Sequence, residues 1–378
     1  MKKGSVLNAK YRIVTPMFCA GAQQDCAELK ATSFLGALGF WWRALAWHQL
    51  DHSPGVSESE RMKDLRNRES KIFGSAADGV RAFLPTIEYS SLRTTSKLSV
   101  TGKPGAQYLA YGATRRPYIN ENQTFTLKLR FRREVDDSIV AALKLLGLLG
   151  GLGSRSRKGY GSLTLEELKH DGKIIWDRPT SYQELKNELQ GLLGSTLSCA
   201  GLPLYSAFSA RARVDHLEDD ADPLVLLDFV GLAMLRYRSA GVSGIVQGRK
   251  SERNFELDHD WCKDPARCPV DFHPERVVFG LPHKYYDRET ETKPSCKPEK
   301  NDRRASPLIF HIHEFGSGNY CALSTLLESD FLPREEKINA AGKLVPQKAE
   351  YKIIRDFLTH SGTDVKPAYF PNRVPILP

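Results

Sequence analysis

Residues 145–161 read LLGLLGGLGSRSRKGYG, an apolar helical stretch that leads into a glycine-rich loop with three cations and no acidic side chain. Glycine allows positive φ angles and a close approach of backbone N–H groups to a ligand, while the cations supply charge. This combination favours a phosphate-bearing polyanion as ligand, with RNA foremost. The residues concerned are Gly147, Gly150, Gly151, Gly153, Gly159 and Gly161, together with Arg155, Arg157 and Lys158.

Two nucleotide-binding loops are excluded by spacing. A P-loop needs Gly-x-x-x-x-Gly-Lys-Ser/Thr, and a dinucleotide loop needs Gly-x-Gly-x-x-Gly between a strand and a helix. Here the loop follows a helix and leads into a strand, so no helix N-terminus lies behind it to hold a triphosphate. The simpler alternative is a glycine C-cap with solvated surface arginines, since helices commonly end in glycine.

Composition describes an ordinary folded protein with a basic surface. The 378 residues are 41% hydrophobic and 26% charged, which is long enough for two domains and excludes wholesale disorder. The formal net charge of +9 favours an acidic partner, either a nucleic acid or an acidic protein. Seven scattered cysteines argue against a disulfide framework and indicate a reducing compartment. Since we also expect no export signal and no membrane span, the sequence predicts a cytoplasmic protein.

The first half of the chain predicts the order strand, helix, insertion, strand, helix, loop, strand. The expected elements are a strand at 11–18, a helix at 34–49 capped by Thr32 or Ser33, an exposed charged excursion at 51–68, a basic loop or hairpin at 91–122 that contains Lys97, a strand at 124–132, a helix at 139–149 begun by Asp136 or Asp137, and a strand at 160–168.

The strand at 124–132 has the clearest pattern. Phe125, Leu127 and other apolar residues alternate with Lys128, Arg130 and further polar residues, so one face is core and the other is basic. Cations on exposed strands are common, but the position just before the loop makes Arg130 a candidate phosphate contact.

The second half repeats this theme. We expect strands at 205–214, 277–281 and 307–314, a helix at 223–239, a hairpin through 316–318 to a strand at 320–326, and a final helix at 349–359. The composition shift near residue 179 divides the chain into domains 1–178 and 179–378. Two α+β halves of similar order indicate a duplication.

The helix at 34–49 has a small face that ends in a cation. At 100° per residue, Gly36, Gly39 and Arg43 lie opposite the apolar stripe. Two helical glycines cost about 1 kcal/mol each relative to alanine, so a close approach must require them. Either an RNA backbone beside Arg43 or tight packing against a neighbouring strand or subunit would do so.

Four segments together resemble the RAMP superfamily of CRISPR-associated proteins. They are RIVTPMF at 12–18, SFLGALGFWWR at 33–43, GGLGSRSRKGYG at 150–161 and RRASP at 303–307. The resemblance spans most of the chain and is strongest to subunits of type III-B effector complexes.

The resemblance implies an α+β fold with two ferredoxin-like (RRM-like) domains and insertions. It also implies a non-catalytic subunit of a type III-B effector in antiviral defence, which binds the 3′ region of CRISPR RNA, contacts target RNA and packs against neighbouring RAMP subunits. The expected RNA contacts are Arg155, Arg157, Lys158, Gly151, Gly153, Arg43, Lys97 and Arg130, with Tyr160 stacking on a base or ribose. No base-stacking aromatics typical of an RRM are recognisable on a strand, which favours backbone contacts over base reading.

A metal-independent ribonuclease that processes CRISPR RNA is one alternative, because some RAMP proteins have that activity. It needs a general base near an attacking 2′-OH, and His48, His311 and His313 are the candidates near ordered elements. Histidines at such positions more commonly have a structural role than a catalytic one.

Two further alternatives remain open. Four side chains that can bind zinc lie within fifteen residues: His259, Cys262, Cys268 and His273. Their spacing fits no known class of zinc finger, and the RNA-binding function that we expect requires no metal. The basic surfaces also suit a protein-interaction scaffold that docks acidic partners without RNA.

Overall fold

The structure is a computed structural model. It describes residues 4–21, 25–75, 79–132, 134–238, 245–246, 249–250, 254–287, 290–316, 318–363 and 367–377. The helices are α1 (Ala31–Ala46), α2 (Glu58–Phe73), α3 (Pro104–Leu109), α4 (Asp137–Leu149), α5 (Tyr182–Leu193), α6 (Pro223–Arg238), α7 (Glu256–Lys263) and α8 (Lys352–Thr359). No helix in these ranges combines the length and the apolar composition that crossing a bilayer requires.

The strands form two main antiparallel sheets and three smaller ones. They are β1 (Val6–Ile13), β2 (Phe83–Glu88), β3 (Thr94–Thr95), β4 (Tyr118–Ile119), β5 (Thr124–Phe131), β6 (Leu163–His170), β7 (Lys173–Asp177), β8 (Arg213–Asp220), β9 (Ile245–Val246), β10 (Arg249–Lys250), β11 (His283–Lys284), β12 (Ser295–Pro298), β13 (Leu308–Gly316), β14 (Asn319–Leu326), β15 (Ile338–Ala340), β16 (Lys343–Val345) and β17 (Val374–Leu377).

The first half is a ferredoxin-like unit. Its order β1, α1, β2, β5, α4, β6 is βαββαβ, and its sheet has the order β2-β5-β1-β6-β7. The alternation in β5 explains its place in the sheet, because Phe125, Leu127, Leu129 and Phe131 are all buried against the helices. The predicted strand and its core face are confirmed.

The second half repeats this topology. The order β8, α6, β13, β14, α8, β17 is again βαββαβ, and the sheet order β13-β14-β8-β17 matches β2-β5-β1-β6 of the first sheet, which has β7 as an additional edge strand. The strands of the small sheet β11-β12-β15-β16 are insertions in this unit: β11 and β12 precede β13, and β15 and β16 follow β14. The fold class, two ferredoxin-like domains with insertions, is confirmed.

The two halves share their cores. Leu185 and Leu193 of α5, which follow residue 178, belong to the cluster of the first half, whereas Val14 and Tyr160 belong to the cluster of the second. The division into domains 1–178 and 179–378 therefore stays a prediction, because apolar packing crosses it in both directions.

A seam joins the two sheets along the outer edge of β13. The backbone N–H of Phe310 donates to the carbonyl of Arg157 at 3.1 Å, and the N–H of Ile312 donates to Oγ of Ser162 at 3.0 Å. At the far end, the N–H of Glu314 donates to Oγ1 of Thr164 at 3.2 Å. The edge strand is thus covered by the glycine-rich loop and the start of β6, which satisfies its exposed backbone groups.

Several predicted boundaries differ from the structure. The first strand is Val6–Ile13, earlier than 11–18, and α1 begins at Ala31 without a side-chain cap from Thr32 or Ser33. The strand expected at 205–214 begins only at Arg213. Of the run at 277–281, residues 277–279 lie in a 3-10 helix, Glu275–Phe279, that Gly280 ends. A short apolar run does not distinguish a buried turn from a strand.

Two predicted loops contain helices. The excursion at 51–68 holds most of α2, which begins with a capping box between Ser57 and Glu60. The segment at 91–122 contains the β3-β4 pair and the short helix α3, which packs on α6 of the second half. Their Ser-rich and basic composition is typical of loops, so neither helix was predicted.

Candidate nucleic-acid interface

The glycines of the loop are required by backbone packing. Gly153 has φ 85°, and a Cβ there would lie 2.5 Å from the carbonyl oxygen of Phe18. A Cβ on Gly151 would lie 2.5 Å from the oxygen of Gly161, whose own N–H donates to the backbone at 3.0 Å. The close approach that these glycines permit is therefore to protein backbone, and their contact with RNA stays a prediction.

The loop arginines are held by contacts that leave their charge uncompensated. Arg155 is exposed, and its guanidinium donates to the carbonyl of Tyr111. The guanidinium of Arg157 donates to the carbonyl of Ser306 and lies 4.5 Å from the ring centroid of Phe40. A cation over an aromatic face is attracted to it, so Phe40 orients Arg157 without neutralising it.

Lys158 is the most enclosed cation of the loop. Its Nζ lies 3.7 Å from Sδ of Met234, a weak acceptor that carries no charge. Burial, reinforced by the nearby charges of Arg238, Arg155 and Arg157, lowers the pKa of Lys158 to about 7. An enclosed ammonium among guanidinium groups is a position that an anion would stabilise.

The pKa values of the other two loop cations, Arg157 and Arg155, are also lowered. Burial and the charge of Arg304 lower the pKa of Arg157 to about 10. Although the side chain of Arg155 reaches solvent, partial desolvation and the charges of Arg116 and Arg303 lower its pKa. Cations from three separate segments of the chain therefore converge on the loop.

We call this cluster the unbalanced end of the seam. It comprises Arg116, Arg155, Arg157, Lys158, Arg238, Arg303 and Arg304. Among the residues that the structure describes, no carboxylate forms an ion pair with any of these seven. The partners seen are carbonyls, hydroxyls, a histidine, a thioether and aromatic rings. Fields of one sign concentrate counter-ions, so the unbalanced end suits a polyanion.

The other end of the seam has fewer cations and contains carboxylates. We call it the balanced end, and it comprises Lys10, Arg12, Arg178, Glu166 and Glu314. Glu166 accepts from Lys10 at 2.9 Å and from Arg12 at 2.7 Å, while Arg178 lies 3.9 Å from Glu314. Burial opposes ionisation of Glu166, but the hydrogen bonds from Lys10 and Arg12 hold its pKa below the usual value. Burial raises the pKa of Glu314. The balanced end is a closed ionic network.

Three predicted phosphate contacts lie outside the unbalanced end. Arg43 forms an ion pair with Glu69 of α2, whereas Lys97 and Arg130 are exposed. A Cβ on Gly39 would make only ordinary contacts, 3.4 Å from Arg43 and 3.9 Å from Glu69, and a Cβ on Gly36 would meet no atom within 4 Å. The close approach predicted for these two glycines is therefore not made within the described part of the chain. Lys97 and Arg130 as RNA contacts stay predictions.

Tyr160 is a core residue. Its side chain has no exposed surface, its hydroxyl donates to the carbonyl of Ala106 at 2.9 Å, and its ring lies 5.3 Å from that of Phe18. A base cannot stack on this ring without opening the core. The prediction that Tyr160 stacks on RNA is therefore corrected.

The candidate catalytic histidines are not arranged for catalysis. His311 and His313 lie on β13 with at most 1% of their surface exposed, beside the backbone of Gly150 and Gly147 at the end of α4. Burial lowers the pKa of His313 to about 3 and holds that of His311 well below its usual value. Nδ1 of His48 is hydrogen-bonded to the carbonyl of Leu45 at the end of α1, at 2.7 Å. A general base must reach its substrate, so this geometry does not favour a ribonuclease.

The four predicted zinc ligands do not converge. They are His259, Cys262, Cys268 and His273, and no three of them bring ligand atoms within 4.8 Å of one another. Both ring nitrogens of His273 are engaged, since Nε2 accepts from the N–H of Lys348 at 2.8 Å and Nδ1 donates to the carbonyl of Pro274. A zinc site needs free nitrogen and sulfur donors in a tetrahedral arrangement, so the geometry gives this reading no support.

Sequence reasoning missed the cations that complete the unbalanced end. Arg238 closes α6, and Arg303 and Arg304 precede β13, more than 70 residues from the loop. The RRASP segment was a visible basic signal, but only the seam between the two sheets places it beside the loop. Phe40 was visible as an aromatic, and only the structure shows the guanidinium above it.

The sequence model of the RAMP superfamily matches residues 10–164, which include most of the first ferredoxin-like unit and the whole glycine-rich loop. Residues 10–164 are thus similar to the RAMP superfamily, and three of the four segments that carried the resemblance lie within them.

Individual relatives narrow this class. The CRISPR system Cmr subunit Cmr1-1 of Pyrococcus furiosus is 22% identical over 333 residues, which cover 82% of this chain and 83% of that protein. The crystal structure of apo Cmr1 from Pyrococcus furiosus is 16% identical, with a TM-score of 0.59 over 98% of both chains. A cryo-EM structure of type III-B Cmr-beta with cognate target RNA, AMPPnP and ssDNA contains a chain that is 13% identical, with a TM-score of 0.50 over 94% of this chain and 98% of that one. The chain is similar in sequence to Cmr1-1 over most of its length and shares the fold of Cmr1.

Proposed function

We propose that this chain is a non-catalytic RNA-binding subunit of a type III-B CRISPR effector complex, where it binds the 3′ region of CRISPR RNA and contacts target RNA. Its partners are the neighbouring RAMP subunits. The proposal draws on the homology to a Cmr subunit and on the target RNA named with the type III-B relative.

The observation that carries the proposal is the charge of the unbalanced end. Seven cations from separate segments meet there without a carboxylate partner among the described residues. Burial, together with the charges of Arg238, Arg155 and Arg157, lowers the pKa of Lys158 to about 7. Such an arrangement costs free energy in the free protein, because a poorly solvated charge without a partner is unfavourable. Phosphates would relieve this cost by supplying the missing counter-charge.

The same observation favours contact with the RNA backbone. Cations bind phosphates whatever the base, so they position RNA without reading its sequence. This is the property expected of a subunit whose complex obtains its specificity from base pairing with a guide.

The test is RNA affinity as a function of salt for the full chain. The variant Arg155→Gln/Arg157→Gln/Lys158→Gln is compared with Lys63→Gln/Arg66→Gln/Arg267→Gln, which removes the same charge from exposed positions elsewhere. Each phosphate contact on a single strand contributes about 0.7 to the log–log slope, so three contacts correspond to about two units of slope and about 100-fold in affinity at 0.1 M salt.

The two variants separate a local site from a general charge effect. The loop variant should lose both slope and affinity, while the surface variant should stay within about threefold of the wild type. Equal losses in both would show that net charge alone attracts RNA and would contradict the proposal. Absence of RNA binding by the wild type would favour a protein scaffold, and cleavage of precursor RNA in EDTA would favour the ribonuclease.

A further inference from the structure

Tyr111 is an exposed aromatic residue on an anchored turn. Its side chain is 79% exposed, whereas Leu109, Ala110 and Ala113 around it are at most 3% exposed. The turn is closed by backbone hydrogen bonds from Tyr111 to Tyr108 and from Ala113 to Ala110. The ring is therefore held out from the surface by a backbone that is fixed on both sides.

The support beneath this turn is rigid. Helix α3 approaches α6 so closely that a Cβ on Gly105 would lie 2.1 Å from the carbonyl oxygen of Asp228. The carboxylate of Asp228 accepts from the N–H groups of Gly105 and Ala106, and the hydroxyl of Tyr160 donates to the carbonyl of Ala106. The buried Tyr160 thus helps to place α3, and a fixed platform loses little conformational entropy when a ligand binds.

Tyr111 also lies directly beside the unbalanced end. Its carbonyl accepts from the guanidinium of Arg155, which also lies near Arg116 and Arg303. Arg115 and Arg116 of the same turn are both exposed. Among the described residues no carboxylate pairs with these cations, and a ring beside such cations is the arrangement by which proteins hold a base and its adjoining phosphates together.

We propose that Tyr111 is a base-stacking residue for a single-stranded RNA segment whose phosphates are bound by Arg155 and its neighbouring cations. This inference rests on the proposed function and extends it, since it assigns one non-electrostatic contact and requires an unpaired base. Stacking tolerates any base, so it adds affinity without sequence preference. In a duplex the bases are already stacked, so duplex RNA gains nothing from this ring.

The charge around Tyr111 favours RNA over a protein surface as its occupant. An apolar protein contact would require the adjacent arginines to be desolvated without a counter-charge, which is costly. A single strand brings the phosphates along with the base.

The experiment separates stacking from charge by using two probes. Binding of a labelled single-stranded RNA and of inorganic polyphosphate, which has no bases, is measured against salt for the full chain. Tyr111→Ala should weaken RNA binding by about 5- to 150-fold, the range observed for loss of one base–aromatic stack. The salt slope and the polyphosphate affinity should not change, and Tyr111→Phe should bind RNA like the wild type.

Tyr286→Ala is the matched control. Tyr286 is also exposed, but the ammonium of Lys293 lies over its ring at 5.5 Å, so one face is already covered. Unchanged RNA affinity in Tyr111→Ala would overturn the inference and leave the proposed function standing, with a protein contact as the role of the ring. Equal loss of RNA and polyphosphate would also overturn it, because Tyr111 would then only support Arg155. Failure of the wild type to bind RNA would defeat the proposed function itself.

Discussion

The two ends of the seam contain similar side chains but differ in charge balance. At the balanced end, two carboxylates lie among three cations and form a network of ion pairs. At the unbalanced end, seven cations approach one another, and the described residues supply no carboxylate partner. A network of ion pairs stabilises the contact between two parts of the protein. Partly buried cations without a carboxylate partner are instead stabilised by an anionic ligand. A cation can therefore be assigned to a binding site only after its partners within the chain are known.

The largest effect on stability is expected at the balanced end. Arg12→Gln removes the guanidinium that bridges Glu166 and the buried Glu314, so we expect the free energy of unfolding to fall by about 2–3 kcal/mol. RNA affinity should stay within about twofold of the wild type. Urea unfolding and RNA titration on the same preparation check both parts. The exposed Arg66→Gln should change stability by less than about 0.5 kcal/mol. Loss of RNA binding without loss of stability would reverse the roles of the two ends.

A carboxylate added to the unbalanced end should make it resemble the balanced end. Ser156 lies between Arg155 and Arg157 in the loop, and Ser156→Glu would supply an internal counter-charge. We expect RNA affinity to fall about tenfold, since the new carboxylate both neutralises a cation and repels phosphate. Ser156→Gln is the matched control and should bind like the wild type; a similar loss in both would indicate a steric effect.

The pH dependence should reveal Lys158. Its folded-state pKa of about 7 lies below its ordinary value of 10.5, so between these values the unfolded chain binds more protons than the folded chain. This group therefore makes the free energy of unfolding rise with pH from about 7 to about 10.5, while below pH 7 both states are protonated. RNA needs the protonated form, so affinity should fall about fivefold from pH 6 to pH 9 at 0.1 M salt, the contribution of one phosphate contact.

Lys158→Arg provides the control for this profile, because a guanidinium stays charged throughout this pH range. The variant should bind RNA with little change in affinity from pH 6 to pH 9. Identical profiles in the wild type and the variant would show that another group titrates, and would remove Lys158 from the site.

The smallest effect concerns the contact between Arg157 and Phe40. Arg157→Lys keeps the charge but loses the planar stack and the fixed direction of the guanidinium. We expect the salt slope to be unchanged and RNA affinity to fall about twofold, which is the low end of a cation–π contribution. A loss of slope would mean that Arg157 binds more than one phosphate through its fork.

Local sequence patterns predicted the regular elements well. The alternation in β5 and the apolar run of α4 each specify an element by its own period, and both are found within two residues of their expected bounds. The order βαββαβ was implied by the family resemblance alone, because the sequence patterns did not predict the strand β2. Polar helices such as α2 were missed because their charged faces leave only two buried residues to mark a period.

The candidate site was only partly predictable, because sequence gives charge but not partners. The loop cations were found from composition, yet Arg43 has a carboxylate partner on another helix, and Tyr160 is enclosed by α3 and Phe18. Burial and ion pairing are set by distant segments, and no local signal distinguishes them. Tyr111 escaped notice for the same reason, since its exposure depends on how α3 packs against α6.

Mapping of RNA crosslinks tests the central claim most directly. Single-stranded RNA containing 4-thiouridine is photocrosslinked to the full wild-type chain, and the attached peptides are identified by mass spectrometry. We predict crosslinks in the peptides that contain Tyr111 and residues 155–158, and none in those that contain Arg12 or Arg178. Crosslinks concentrated at the balanced end, or spread evenly over the exposed basic strand at Arg130, would contradict the account.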